Sequence, residues 1–388
     1  MKKNKYLIPI ILSAAFVVGL VLRILLFREV SWDYYAFLSR WIAAFAQNGL
    51  SAAASIQSDY NAPYLVVCYL ASLCKGWEMI FIKLVSTLFD VFLCVGVFFL
   101  VKKLSNTTKA VITSCIIWLL PTVILNSSWW SQCDSLYVSL CVWSLYILLC
   151  EKRAWLSAFL AGIAFAFKIQ TIFYIGVGVI ALETGKLKLK HLLTFVGGFL
   201  AACLPGVLLG YPITRIFTVY GMQIGNPSYL KRMSLNSASV WSILTLENIS
   251  FIAIPIAIAA TLAIMLYGMY RSSVQKKQIN LFDYALLLSC VIPFLLPHMH
   301  DRYFYMFEIF AVIAAVLYKK YSAAILAQAA GVIVYQSYMG AINEKWLRWI
   351  PLATDSAAAG CLMAVAVTIT AFYILWQKPK LENLKQKN

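Results

Sequence analysis

Polar knots interrupt an otherwise apolar chain, and each carries groups that can move protons or bind anions. The first runs from Ser31 to Tyr64, SWDYYAFLSRWIAAFAQNGLSAAASIQSDYNAPY. It holds two carboxylates, Asp33 and Asp59, each beside aromatics. A carboxylate against a hydrophobic wall is a candidate general base, because burial raises its proton affinity. The plain alternative for Asp33 is a cap on a helix starting at Tyr34. Asp59-Tyr60-Asn61-Ala62-Pro63-Tyr64 joins an acid, an amide and two aromatics, a mixture suited to sugar recognition. A turn before a helix is its plain alternative.

Lys168 and Gln170 interrupt the apolar run from Ala158 to Leu182. Lys168 falls roughly 20 Å along a helix from Trp155, well into a membrane. A lysine there is costly unless it meets a partner or a polar cavity. It is thus a candidate anion ligand, with snorkelling as the alternative. Pro297-His298-Met299-His300-Asp301-Arg302-Tyr303 is the densest polar cluster. Arg302 offers a bidentate fork for phosphate. The His298–His300 spacing lacks an evident third ligand for zinc. The stretch Tyr229–Trp241 adds Lys231 and Arg232, and Asn126–Asp134 adds another amide and carboxylate. Asp90, inside an apolar run, needs a partner; Lys83 stands about two turns earlier on a nearby face. No P-loop, GxGxxG, HExxH or GxSxG motif is present, which argues against a nucleotide-driven pump and the common membrane proteases.

The elements that must position these groups are helices in a bilayer. The 388 residues are 62% hydrophobic and 12% charged, about half the charged fraction of an ordinary soluble domain. The formal charge of +17 invites a nucleic-acid reading. Its placement argues against one, because lysines and arginines cluster between apolar runs, as in cytoplasmic loops. Runs that read as spans fall at 6–27, 79–101, 109–126, 134–150, 155–167, 171–183, 191–210, 249–270, 281–297, 303–318, 321–340 and 356–376, predicting about twelve crossings. Residues 62–74 are apolar but short, and read as a second surface helix or re-entrant piece. That choice places most of the 32 basic residues on one side, with both termini inside. The short runs 155–167 and 171–183 suit a cavity entering from the outer side.

The expected fold class is therefore all-α and polytopic, one transmembrane domain over 1–388. A long first outer loop at 28–78 carries surface helices, and 377–388 form a basic cytoplasmic tail. Tyr34, Phe37, Leu38, Trp41, Ile42 and Phe45 recur at helical spacing, as in a helix lying in the membrane interface. The opening run is long for a signal peptide and lacks a cleavage site, so it reads as a retained span. The 10 cysteines show no CxxC pair and read as small apolar residues.

With these residues in view, the chain resembles GT-C superfamily glycosyltransferases. The closest pattern is that of bacterial proteins related to GPI mannosyltransferase II. Asp33–Trp41 and Asp59–Tyr64 resemble that family's first outer loop. Trp130-Ser131-Gln132-Cys133-Asp134-Ser135, Phe167-Lys168-Ile169-Gln170, Ser234-Leu235-Asn236 with Trp241, and His300-Asp301-Arg302-Tyr303-Phe304 follow in family order. The dolichyl-phosphate-glucose-dependent glucosyltransferases of N-glycan assembly share these landmarks. The chain departs by one proline where the family often has two, and by Asp301 where Glu is frequent.

The resemblance implies the GT-C fold, a polyprenyl-phosphate sugar as donor, and an active site on the outer face of a bacterial cytoplasmic membrane. Asp33 takes the family's base position. His300 and Arg302 would hold the donor phosphate, with Lys168, Gln170 or Arg232 assisting. Asp59, Tyr60, Asn61, Asp134 and Asp301 would line the sugar or acceptor. The acceptor would be a glycan, glycolipid or polymer. Membrane lipid is a partner and nucleic acid is not. The donor carries its own activated bond, so no cofactor is implied and no divalent metal is obviously required. A transporter or flippase of a lipid-linked sugar is the alternative, although matching broken helices in two halves are not evident. A non-enzymatic membrane partner is a third reading, and it leaves the outer polar cluster without a purpose.

Overall fold

The computed structural model describes residues 7–150, 153–244, 246–273, 281–340 and 356–376. The proposed tail at 377–388, much of the last outer loop and several of the inner lysines lie outside the described residues. The described residues are mostly helical. In chain order the main helices are α1 (Leu7–Leu26), α2 (Ser39–Asn48), α3 (Ala62–Ser72), α4 (Glu78–Leu104), α5 (Thr107–Trp118), α6 (Asp134–Cys150), α7 (Ala154–Phe167) and α8 (Ile172–Glu183). They continue with α9 (His191–Leu208), α10 (Arg215–Ile224), α11 (Ser250–Ser273), α12 (Leu281–Leu295), α13 (Tyr305–Tyr318), α14 (Tyr321–Gly340) and α15 (Ser356–Trp376). Two short strands, β1 (Ser234–Leu235) and β2 (Met299–His300), pair in parallel. The helices form two compact units, one of residues 1–171 and 190–224, the other of 172–189 and 225–388.

A helix occupies each run read as a span, but most are short. Among the described residues, five helices are long and apolar enough to cross a membrane, or six if one bent pair counts as a single span. Large apolar side chains stay exposed along them: Phe16 and Val21 on α1, Leu193 on α9, Ile256 and Leu266 on α11. Water would not tolerate that surface, whereas hydrocarbon does. The chain thus carries the apolar helices of an integral membrane protein.

The expected single span at 109–126 is bent by 53° between α5 and the segment Pro121–Trp129. The sequence explains the bend. Pro121 disfavours helical backbone at the residue before it, and Leu120 is extended, with φ −60° and ψ 131°. The chain then widens into a π-helical turn over Leu125–Trp129, burying Asn126, Ser127 and Ser128.

The amphipathic segment also differs from expectation. A π-turn over Tyr34–Leu38 leads into α2. Leu38, Trp41, Ile42 and Phe45 are buried, but Phe37 is 49% exposed. The buried face packs on protein: Phe45 meets Tyr69 of α3 edge-on, with ring centres 5.7 Å apart. A helix read as lying on lipid is clamped against α3 instead, because that neighbour supplies its own apolar face.

Close helix approach builds the first unit. A Cβ on Gly162 of α7 would sit 2.0 Å from the Phe195 carbonyl oxygen of α9. A Cβ on Gly198 would meet the Phe159 carbonyl oxygen at 2.0 Å. The two glycines let the backbones touch, as small residues do where membrane helices pack.

Candidate functional site

Asp33 lies in helical backbone just before Tyr34 and makes no side-chain cap. The capping alternative is therefore not what its carboxylate does. Oδ2 accepts two hydrogen bonds, from the Trp130 indole Nε1 at 3.0 Å and from Gln132 Nε2 at 2.6 Å. Two donors on one oxygen fix the carboxylate plane. The segment carrying those donors is shaped locally. Ser131 adopts φ +63°, which turns the chain between Trp130 and Gln132. The Gln132 amide N–H donates to the Asn126 carbonyl at 2.9 Å. Ser31 links the two segments of the site: its hydroxyl donates to the Trp130 carbonyl at 2.8 Å and accepts from Tyr34 N–H at 3.1 Å. Burial, chiefly, pushes the neighbouring Tyr34 phenol up to about 12.

Gln132 extends the network. Its Oε1 accepts from the Tyr60 hydroxyl at 3.0 Å. The Tyr60 ring stacks on Tyr64 at 4.5 Å and meets Trp41 edge-on at 5.9 Å. Lys168 Nζ lies 5.8 Å from the ring centres of both Tyr60 and Tyr137. Lys168 ends α7 in extended backbone and forms a buried ion pair with Asp134 Oδ1. Asn126 Nδ2 donates to Asp134 Oδ2 at 2.8 Å. Asp33, Tyr60, Asp134 and Lys168 thus join one hydrogen-bonded and aromatic patch within the first unit.

Other nominated residues have plainer duties or stand apart. Asn61 is fully buried and serves the backbone: Oδ1 accepts from Ala62 N–H at 2.7 Å, and Nδ2 donates to the Ile216 carbonyl at 2.9 Å. It caps α3 rather than offering its amide to a sugar. Asp59 is half-buried beside Tyr60. Gln170 is 3% exposed, and its Oε1 accepts no hydrogen bond among the described residues.

The second unit holds its own cluster. β2 lays His300 beside Leu235 of β1, and Asn236 bridges to His300. The His298 amide donates to the Met233 carbonyl at 2.8 Å, while its Nδ1 lies 2.6 Å from the Arg232 carbonyl oxygen. The Arg232 side chain is exposed. Asp301 is buried, and its Oδ1 accepts from Arg302 N–H at 2.9 Å and faces Arg302 Nη1 at 3.5 Å. His300 and Tyr303 rings lie 5.3 Å apart. No group of three or more His, Cys, Asp and Glu that could hold a metal ion occurs among the described residues.

Sequence reasoning quoted Trp130 and Gln132 without giving them a role. The adjacent polar run from Asn126 to Asp134, lying between apolar segments, was the available signal. It also missed the partner of Asp90. Arg23 of α1, not Lys83, makes that pair, and Ser127 donates to Asp90 Oδ2 at 2.7 Å. Lys83 instead donates to the carbonyls of Leu26 and Phe27, each at 3.1 Å, closing the end of α1. No protein-family model matches the chain, and no curated protein matches it. What stands is a helical chain of membrane type with a restrained carboxylate, an amide, stacked aromatics and a buried ion pair in one patch.

Proposed function

We propose that the chain is a membrane glycosyltransferase of the GT-C type, with about twelve crossings. It moves a hexose from a polyprenyl-phosphate donor to an acceptor hydroxyl on the outer face, inverting the anomeric carbon. The observation that carries the reading is the grip of Trp130 and Gln132 on Asp33 Oδ2. A base must be oriented before its proton affinity matters, and a fixed carboxylate meets that need.

In the proposed step, the Asp33 carboxylate takes the acceptor hydroxyl proton. The freed oxygen bonds to the anomeric carbon while the bond to the lipid phosphate breaks. Polyprenyl phosphate leaves with the electron pair. Negative charge grows on that phosphate, so nearby fixed cations stabilise the transition state more than the ground state. The family resemblance, not a measured approach to Asp33, assigns that role to His300 and Arg302, with Arg232 assisting. Lys168 is already matched to Asp134, so its duty in the proposal is to place Tyr60 and Asp134. Tyr60, half-buried and backed by the buried Tyr64 ring, offers an aromatic face of the kind that receives a sugar.

The test is transfer of labelled hexose from synthetic polyprenyl-phosphate donors by purified protein, wild type beside Asp33→Asn, with an envelope extract as acceptor. Transfer by wild type and none by a folded Asp33→Asn protein is the expected result. Full transfer by Asp33→Asn overturns the base assignment. Movement of lipid-linked sugar across vesicles without any transfer replaces the enzyme with a transporter.

A further inference from the structure

A cavity of about 380 Å³ opens at the basic end of α4, at the ends of α6 and α7 opposite Asp134 and Lys168. Its lining is Lys103 from the last turn of α4, Tyr146, Ile147 and Cys150 from the end of α6, and Arg153 ahead of α7. The volume lies within the range of small-ligand pockets. Two cations, one phenol and an apolar floor form a site with one charged wall and one greasy one.

The apolar wall continues along the helices. Trp143 stacks on Phe92 at 5.4 Å, and Phe99 bridges Trp143 and Tyr146 at 5.6 and 5.7 Å. Gly96 makes the ladder possible, because a Cβ there would sit 2.9 Å from Trp143 Nε1. Phe92 remains 37% exposed, so the ladder faces the surroundings rather than the core. α4 is one of the helices long enough to cross a membrane, so this surface is presented to acyl chains. The connecting segments, 102–109 and 150–153, carry Lys102, Lys103, Lys109, Lys152 and Arg153 against the single acid Glu151. A basic pocket at a membrane-helix end, with an aromatic track leading into the bilayer, matches an anionic lipid in charge and in shape.

We propose that this cavity binds the phosphate headgroup of an anionic phospholipid, with one acyl chain lying along Phe92, Trp143, Phe99 and Tyr146. Lys103 and Arg153 hold the phosphate, and the Tyr146 hydroxyl sits at headgroup depth. The site is independent of the transfer reaction.

Native mass spectrometry of the full-length purified protein tests it, with phosphatidylglycerol and phosphatidylcholine of the same acyl chains. Each surface cation contributes roughly fivefold in anionic-lipid affinity. Wild type is therefore expected to favour phosphatidylglycerol by about 25-fold, and the Lys103→Gln/Arg153→Gln variant to bind both lipids equally. Trp143→Ala should weaken both lipids alike and keep the preference. An unchanged preference in the double variant overturns the proposal, as does equal binding by wild type. Release of the lipid by millimolar inorganic phosphate overturns the lipid assignment in favour of a free phosphate.

Discussion

Arg23 donates to the same oxygen of Asp90 twice, from Nε at 3.1 Å and Nη2 at 2.9 Å, with both side chains wholly buried. The guanidinium also lies 3.7 Å above the Trp118 ring and reaches the carbonyls of Gly19 and Trp118. One pair therefore binds α1, α4 and α5 together. Removing one partner strands a buried charge and costs about 3–5 kcal/mol, whereas an apolar replacement of both is often near neutral. Asp90→Ala is expected to lower the melting temperature in detergent sharply. Arg23→Met/Asp90→Leu should recover most of that loss, and a double variant no better than the single would refute the pairing.

Lys168 and Asp134 obey the same rule with a functional consequence. The buried lysine suggested a phosphate ligand, but the anion beside it is Asp134. Lys168→Met leaves Asp134 uncompensated and should cost about 3–5 kcal/mol. Lys168→Met/Asp134→Asn should regain stability and, with it, sugar transfer. Stability without transfer would return Lys168 to direct contact with the substrate.

The sequence made several of these residues visible, but rarely their partners. Asp33, Tyr60, Asp134 and Lys168 stood out as polar groups in apolar surroundings. Hydropathy marks such exceptions without saying what each one meets. Arg23 was passed over because one arginine barely dents a long apolar run, and Lys83 was paired with Asp90 because both share a helix. Periodicity gives a face, not the neighbour across it. Helices were legible at every apolar run, yet the Pro121 bend was hidden by continuous hydropathy. The division into two units left no linker to read, since the chain changes unit at 171, 189 and 224, beside or within helical segments.

The contact of α7 with α9 rests on Gly162 and Gly198, each blocked by a backbone oxygen. Overpacking a tight interface costs roughly 1–3 kcal/mol. Gly162→Ala and Gly198→Ala should each destabilise by about that amount. Gly197, one residue away, has nothing within 4 Å of its would-be Cβ. Gly197→Ala should be neutral or slightly stabilising, since alanine favours helix. Equal melting temperatures for Gly198→Ala and Gly197→Ala would refute the close approach.

Asparagine at position 33 retains an oxygen that can accept from Trp130 and Gln132 but is no longer a useful base. Asp33→Asn should therefore fold normally while transfer falls by at least about 100-fold. Gln132→Ala removes the 2.6 Å donor and leaves the carboxylate partly oriented by Trp130. It should cost transfer about tenfold to 100-fold, through misplacement of the base. Tyr60→Phe removes only the hydroxyl that holds Gln132 and keeps the stack on Tyr64. Its loss should be smaller again, near the roughly 1 kcal/mol of one hydrogen bond. The order matters more than any single value. The proposed base, held by an amide that is held by a phenol, predicts losses that shrink outward along the chain of contacts. Rates measured at saturating donor for all three variants would test that gradient. A Tyr60→Phe loss exceeding that of Asp33→Asn would move the chemistry from the carboxylate to the phenol.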